Sequence, residues 1–210
     1  MKFDATEFLG KCHRPNYHAG CIQTSSGKLF DVLEPQSEDV SIADIAQGLA
    51  YKYRYTGQIG PITVAEHSVV TSRVIACLGG TVLQQWRGLM HDACEAYTHD
   101  IPAPVRQATL VKLRNGYTIT WEDLDDRVNL AVSKKLGDGY PFTLEDLIKS
   151  ADVIAFLIEK RQIPLIRDQE WGLPEIPDAA AHLSVQFLPP VDSKQLFLAR
   201  YFELRDKLAF

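Results

Sequence analysis

Residues 81–106 read TVLQQWRGLMHDACEAYTHDIPAPVR, and their periodicity decides the fold class. Thr81 is a residue type that caps helices, and Val82, Trp86, Leu89, Met90, Ala93 and Tyr97 recur at steps of three and four. That spacing predicts one amphipathic helix over about 82–98, ended by Pro102 and Pro104. His91, Asp92 and Glu95 are set into the apolar stripe. Glu95 follows the histidine by four residues and the aspartate by three, so all three project from neighbouring positions on one surface. Burying an unpaired carboxylate costs several kcal/mol, and solvent or a bound cation has to compensate the two acids.

The helical period extends to both sides. Upstream, Ser41 stands as an N-cap before Ile42, Ile45, Ala46 and Leu49, until Gly57, Gly60 and Pro61 break the chain. Thr63 followed by Glu66 is a capping box opening a helix that carries Val64, Val70, Val74 and Ile75 and stops at Gly79-Gly80. Downstream, helices are predicted over about 121–136, ended by Gly137, and about 143–161, opened by Thr143 and stopped by Pro164. Residues 164–190 hold five prolines and read as an irregular crossover to a last helix over about 193–208. Near the start, Cys21-Ile22 and the segment from Leu29 to Leu33 flank Ser25-Ser26-Gly27 as a short hairpin. The expected architecture is an all-α helical bundle with a short N-terminal β-hairpin, one domain over residues 1–210.

Composition sets the outer limits. With 210 residues, 46% hydrophobic and 23% charged, the chain excludes disorder, a collagen-like repeat and a disulfide scaffold. Its 22 basic and 27 acidic residues give a net charge of −5, so no sequence-wide basic surface exists to grip a nucleic acid polymer. A small anionic ligand met by a few local cations or a metal is the alternative. The four cysteines form no CxxC pair, and charged residues interrupt every hydrophobic run, which argues for a reducing cytoplasm and against a membrane span.

His67, one helix before the His91-Asp92 pair, and Asp152, on the apolar helix with Ile148, Ala151, Ala155 and Phe156, offer two more ligands. Two histidines with two aspartates make a mixed nitrogen and oxygen site, suited to Mn, Fe, Co, Ni or Zn and usable by Mg. Such a site leaves positions open to water and phosphate oxygens, and Glu95 is placed to position that water or handle its proton. No organic cofactor is needed for this hydrolytic chemistry. As a dipeptide alone, His-Asp is also an ordinary chance occurrence.

Three segments, AEH (65–67), HDACEAYTHDIPAPVR (91–106) and SADVIAFLIEKR (150–161), resemble the HD-domain metal-dependent phosphohydrolases. The nearest likeness is to the bacterial and phage branch that includes deoxynucleoside 5'-nucleotidases and phage dATP triphosphohydrolases. It runs from SGKLFDVLEP (26–35) through SIADIAQGLAYKYRYTGQIG (41–60) to about Arg161. The resemblance implies His67, His91, Asp92 and Asp152 as metal ligands, Glu95 as the catalytic acid or base, Asp100 as a second carboxylate near the nucleotide, and Arg54 near phosphate or sugar. It also implies a homo-oligomer in the cytoplasm, or in a host cytoplasm for a phage protein. Where some relatives carry a tryptophan after the arginine, this chain has Tyr55 and Thr56, so details of sugar and base recognition do not transfer.

On that footing the expected substrate is a purine deoxynucleoside triphosphate such as dATP. The alternatives are a deoxynucleoside 5'-monophosphate and a bundle that binds nucleotides without turnover. Tyr51, Tyr53 and Tyr55 alternate with Lys52 and Arg54, a pattern that stacks a base and meets its phosphates, or equally packs a helix end. Arg106, Lys112 and Arg114 form the cationic cluster best placed for β- and γ-phosphates, or equally a solvated face. Leu196, Phe197, Tyr201 and Phe202 on the last helix offer an apolar surface for association, unless that helix packs on its own core. Cys12, His13, His18 and Cys21 lack the spacing of a zinc knuckle, Cys94 reads as a packed small residue, and His99 and His182 receive no role.

Overall fold

The computed structural model describes residues 21–137, 139, 145–163 and 174–208. The fold is all-α. Strand β1 (Cys21–Gln23) pairs antiparallel with β2 (Leu29–Asp31), Ile22 opposite Phe30, which is the short hairpin expected. Helix α1 (Ile42–Ala50) buries Ile45, Ala46 and Leu49, the stripe read from the sequence. Helix α2 (Val64–Cys77) starts at Thr63, whose hydroxyl accepts the Glu66 N–H at 3.1 Å. The other half of the expected capping box is absent. The Glu66 carboxylate accepts instead from the backbone N–H groups of Gln186 and Leu188, fastening the crossover to the start of α2.

The predicted helix over 82–98 is two helices. Helix α3 (Val82–Met90) opens with a complete Thr81–Gln84 capping box, and a single turn, α4 (Glu95–Thr98), follows the His91–Cys94 segment. Between them the backbone tightens to i→i−3 bonds: Ala93 to Met90, Glu95 to Asp92, Ala96 to Ala93, Tyr97 to Cys94. Winding of three residues per turn eclipses positions i and i+3. Asp92 and Glu95 therefore fall closer to one line than a regular α-helix would put them.

Helix α5 (Ala103–Ala108) leads into a second hairpin, β3 (Val111–Lys112) with β4 (Thr118–Ile119), which the sequence reading did not include. Helix α6 (Trp121–Leu136) opens at Thr120 and closes at Gly137, α7 spans Asp146–Gln162, and α8 spans Pro190–Arg205. Thr143 and Pro164, the expected bounds of α7, lie outside the described residues, as do Cys12, His13 and His18. Helix α8 starts three residues before the predicted 193, because Pro190 needs no N–H partner in a first turn.

Helix α2 packs on α3, α7 and α8, and is buried over most of its length. On one side Phe30, Leu49, Trp86, Leu89, Met90 and Phe197 close a core; on the other, Ile62, Val74, Ile75, Ile148 and Ile158 close a second. Two glycines set the close approaches that locate His91 and Glu95. A Cβ on Gly88 would lie 2.2 Å from Ile75 Cδ1, and one on Gly48 would lie 2.8 Å from the Ala96 carbonyl oxygen. Helix α8 turns Phe197 and Tyr201 inward, leaving Phe202 51% exposed, so most of the surface read as available for association is taken up by the core. Among the described residues no helix is long and apolar enough to cross a membrane.

Candidate metal centre

His67 projects from the buried first turns of α2, His91 ends α3, and Asp152 lies in the second turn of α7. Their ligand atoms lie within 4.8 Å of one another, so the three form a group that can hold a metal ion. His67 Nε2 stands 2.9 Å from Asp152 Oδ1, and His91 Nε2 stands 3.8 Å from the same oxygen. Asp92 Oδ2 sits beside them, 3.1 Å from His91 Nε2 and 3.9 Å from His67 Nε2.

The donor chemistry fits a cation because both rings are oriented from behind. His91 Nδ1 is 2.8 Å from the Gly88 carbonyl oxygen, and His67 Nδ1 is 2.6 Å from Glu159 Oε1. Each contact holds the proton on Nδ1 and turns the Nε2 lone pair toward the carboxylates, the arrangement that outer partners impose on metal-binding histidines. Without a metal the same pocket favours protons. Burial disfavours the His91 cation, but Asp92 and Asp152 outweigh it and raise its pKa well above the usual value. For His67, burial and Arg54 act downward, and Glu159 with Asp152 reverses them. Asp152 is held far below the ordinary carboxylate range: burial would raise it, and hydrogen bonds from both histidines prevail.

Glu95 stands at the edge of this group with its Oε2 buried and without a hydrogen-bond partner among the described residues. Burial, then Asp92 and Asp100, push its carboxyl well above the ordinary range against Arg54 and His91. Asp100 follows His99, whose φ of 78° and ψ of 152° belong to a region that glycine favours, and the chain turns sharply there. Burial raises the Asp100 pKa, Arg54 opposes it and Asp92 adds to it, which places Asp100 within the field of the centre.

The residues assigned to substrate are placed differently from one another. Arg54 reaches the centre, giving its Nε to Glu159 Oε2 at 3.0 Å, and Tyr55 gives its hydroxyl to the same oxygen at 2.5 Å. Arg106 pairs with Asp125 of α6, whose other oxygen accepts from Thr98 at 2.9 Å. Lys112 stands exposed on β3, and Arg114 pairs with Asp31 and Glu34. Two of the three cations of the linear cluster are therefore held by acids of different elements, Arg106 by α6 and Arg114 by β2 and the segment after it. Cys94 is buried, its thiol pushed well up by burial and by Asp125, Glu95 and Asp92, as befits a packed residue.

Glu159 was not among the residues singled out from the sequence, and Lys52 was read only as a cation alternating with Tyr51, Tyr53 and Tyr55. Glu159, fully buried, lies on α7 seven residues after Asp152, and its position in an apolar stripe was the available signal. Lys52 donates to the Ala96 carbonyl oxygen at 2.6 Å, lines a cleft of about 350 Å³ with Tyr51 and His99, and lies within the field of Glu95. Burial brings its ammonium down to about 8, Glu95 pulling the other way. The folded pKa thus lies below the unfolded value of 10.5, so the cost of burying the charge is full below pH 8 and is relieved as pH rises toward 10.5. Urea unfolding is expected to show wild type gaining stability relative to Lys52→Met between pH 8 and 10; a constant difference across that window contradicts it.

No family model matches the chain. It is 32% identical over 195 residues to the uncharacterized protein RCAP_rcc00048 of Rhodobacter capsulatus, covering 88% of this chain and 95% of that one. It is 29% identical over 188 residues to the uncharacterized protein YfdR of Escherichia coli, covering 88% and 96%. The chain belongs to the family of the Rhodobacter capsulatus protein.

Proposed function

We propose that this protein is a metal-dependent phosphohydrolase that removes phosphate from deoxynucleotides, of the kind the HD-domain resemblance implies. The observation that carries the reading is a buried Glu95 oxygen, without a hydrogen-bond partner among the described residues, in the field of Asp92 and of the His91 side chain of the His67–His91–Asp152 group. A divalent ion held there, of the Mn, Fe, Co, Ni, Zn or Mg set, would polarise the phosphoryl group. The chain's own residues supply the rest. Arg54 brings a guanidinium fixed through Nε, Asp92 completes the ligand set, Glu95 holds or takes a proton, and Asp100 supplies a second carboxylate near the nucleotide.

A purine deoxynucleoside triphosphate is the substrate form implied by the resemblance. The Arg106–Asp125 and Arg114–Asp31 pairs favour the second form, a 5'-monophosphate, because those two cations are engaged by acids outside the centre while Arg54 and Lys52 act on its acids. A panel of dATP and dAMP with Mn²⁺ or Co²⁺, quantifying phosphate, pyrophosphate and triphosphate separately, tests both. Under the monophosphate form, the ratio of kcat/KM for dATP and dAMP stays the same in Arg106→Ala and Lys112→Ala. Under the triphosphate form the ratio falls by about ten- to a hundredfold, the worth of one charge-assisted contact. Release of none of the three products from either substrate ends the phosphohydrolase reading.

A further inference from the structure

Glu159 has a second task besides orienting His67. Its Oε1 takes the His67 Nδ1 contact at 2.6 Å, while its Oε2 accepts both Arg54 Nε at 3.0 Å and the Tyr55 hydroxyl at 2.5 Å. The carboxylate is fully buried and joins α7 to α2 and the turn Arg54–Gly57, both distant from it in sequence. That turn is strained. Tyr55 (φ 57°), Thr56 (φ 53°) and Gly57 (φ 73°) are consecutively left-handed, and two of the three carry a Cβ. Side chains in this region persist only where surrounding contacts over-determine them. Tyr55 meets that condition through its hydroxyl on Glu159, and the chain before it through Arg54. A carboxylate is planar and rigid, so any shift of Oε1 that follows His67 is carried to Oε2 and its two donors.

We propose that Glu159 is a positioning residue that couples filling of the His67–His91–Asp152 group to closure of the Arg54–Gly57 turn. A metal-loaded centre then presents Arg54 to a phosphoester, and an empty one leaves the turn free to open. The inference deepens the phosphohydrolase reading and rests on it for the identity of the ligand that Arg54 meets, while the coupling itself involves only metal and backbone.

Coupling between two sites is reciprocal: whatever the metal does to the turn, the turn does to the metal. Mn²⁺ added to EDTA-stripped wild-type protein is expected to slow amide hydrogen exchange over residues 53–59 about fivefold or more. Tyr55→Phe, which removes a donor two links from any metal ligand, is expected to weaken Mn²⁺ binding by a similar factor in calorimetric titration. Tyr117→Phe, on the exposed second hairpin, leaves Mn²⁺ binding as it is. In a Glu159→Gln background, where the link is already broken, Tyr55→Phe produces no further loss. Exchange over 53–59 that ignores Mn²⁺, or Tyr55→Phe binding Mn²⁺ as tightly as wild type, overturns the coupling and leaves Glu159 as a partner of His67 alone. Phosphate release without coupling therefore sinks this inference, and coupling without phosphate release sinks the hydrolase reading.

Discussion

His91→Ala is expected to remove metal and turnover together. The imidazole supplies one of three ligand atoms that lie within 4.8 Å of one another, and its Nδ1 contact with Gly88 ties that atom to the end of α3. Loss of an outer partner of a metal ligand typically costs ten- to a hundredfold in affinity, so loss of the ligand itself must exceed about 10². Asp152→Ala should behave alike, since Asp152 Oδ1 is the oxygen nearest His67 Nε2. Elemental analysis after dialysis reads the metal, and thermal unfolding gives a second measure independent of any substrate. An ion at a hundred times its Kd stabilises a native protein by about 2.7 kcal/mol, which for a chain of this size is a rise of roughly 5–10 °C. Wild type should show that rise with Mn²⁺ and both variants should not. Full metal content in either variant would place the ion elsewhere.

How much of this was legible depends on what kind of signal each residue left. Helices α1, α2 and α6 were readable from their apolar spacing, with the Thr63 hydroxyl capping α2 and Gly137 closing α6, whereas the Ser41 side chain expected to cap α1 makes no cap hydrogen bond. His67 and Asp152 could be paired with His91 because each interrupts a stripe of apolar residues, where a polar side chain needs a partner. The break after Met90 left no trace. No glycine or proline marks residues 91–94, and apolar residues at steps of three and four suit a tightened turn as well as an α-helix.

The partners of the cations were hidden for a different reason. Arg106, Lys112 and Arg114 are close in sequence, but Asn115-Gly116 makes a hairpin turn there, with Gly116 at φ 90°, and swings Arg114 toward Asp31. That dipeptide is among the strongest short-range hairpin signals and was available to be read. Glu159 was hidden by its neighbours. In EKR at the end of a helix, a glutamate next to two basic residues looks like part of a solvated surface. Only the period from Asp152 through Ala155 and Ile158 turns it inward, and His67, Arg54 and Tyr55, all distant in sequence, explain how its charge is tolerated.

Glu95→Gln is expected to keep the metal and lose the reaction. The amide matches the carboxyl in size, and because Oε2 has no hydrogen-bond partner among the described residues, the substitution removes no contact with them on that oxygen. What it removes is the capacity to exchange a proton. Burial together with Asp92 and Asp100 holds the Glu95 carboxyl well above the ordinary range, against the pull of Arg54 and His91, and so nearer the pH at which a general acid or base works best. A positioned proton-transfer group contributes about 10²- to 10⁴-fold, so kcat should fall by that factor while the Mn²⁺ Kd stays within a few-fold of wild type. The tightened winding of residues 90–97 brings Asp92 and Glu95 closer to one line, with Asp92 Oδ2 3.1 Å from His91 Nε2. If Glu95→Gln loses its metal, Glu95 is a ligand and the proton must be handled by Asp100 or by the substrate. If the variant turns over as wild type does, Glu95 Oε2 has no part in the chemistry and the observation that carries the hydrolase reading is gone.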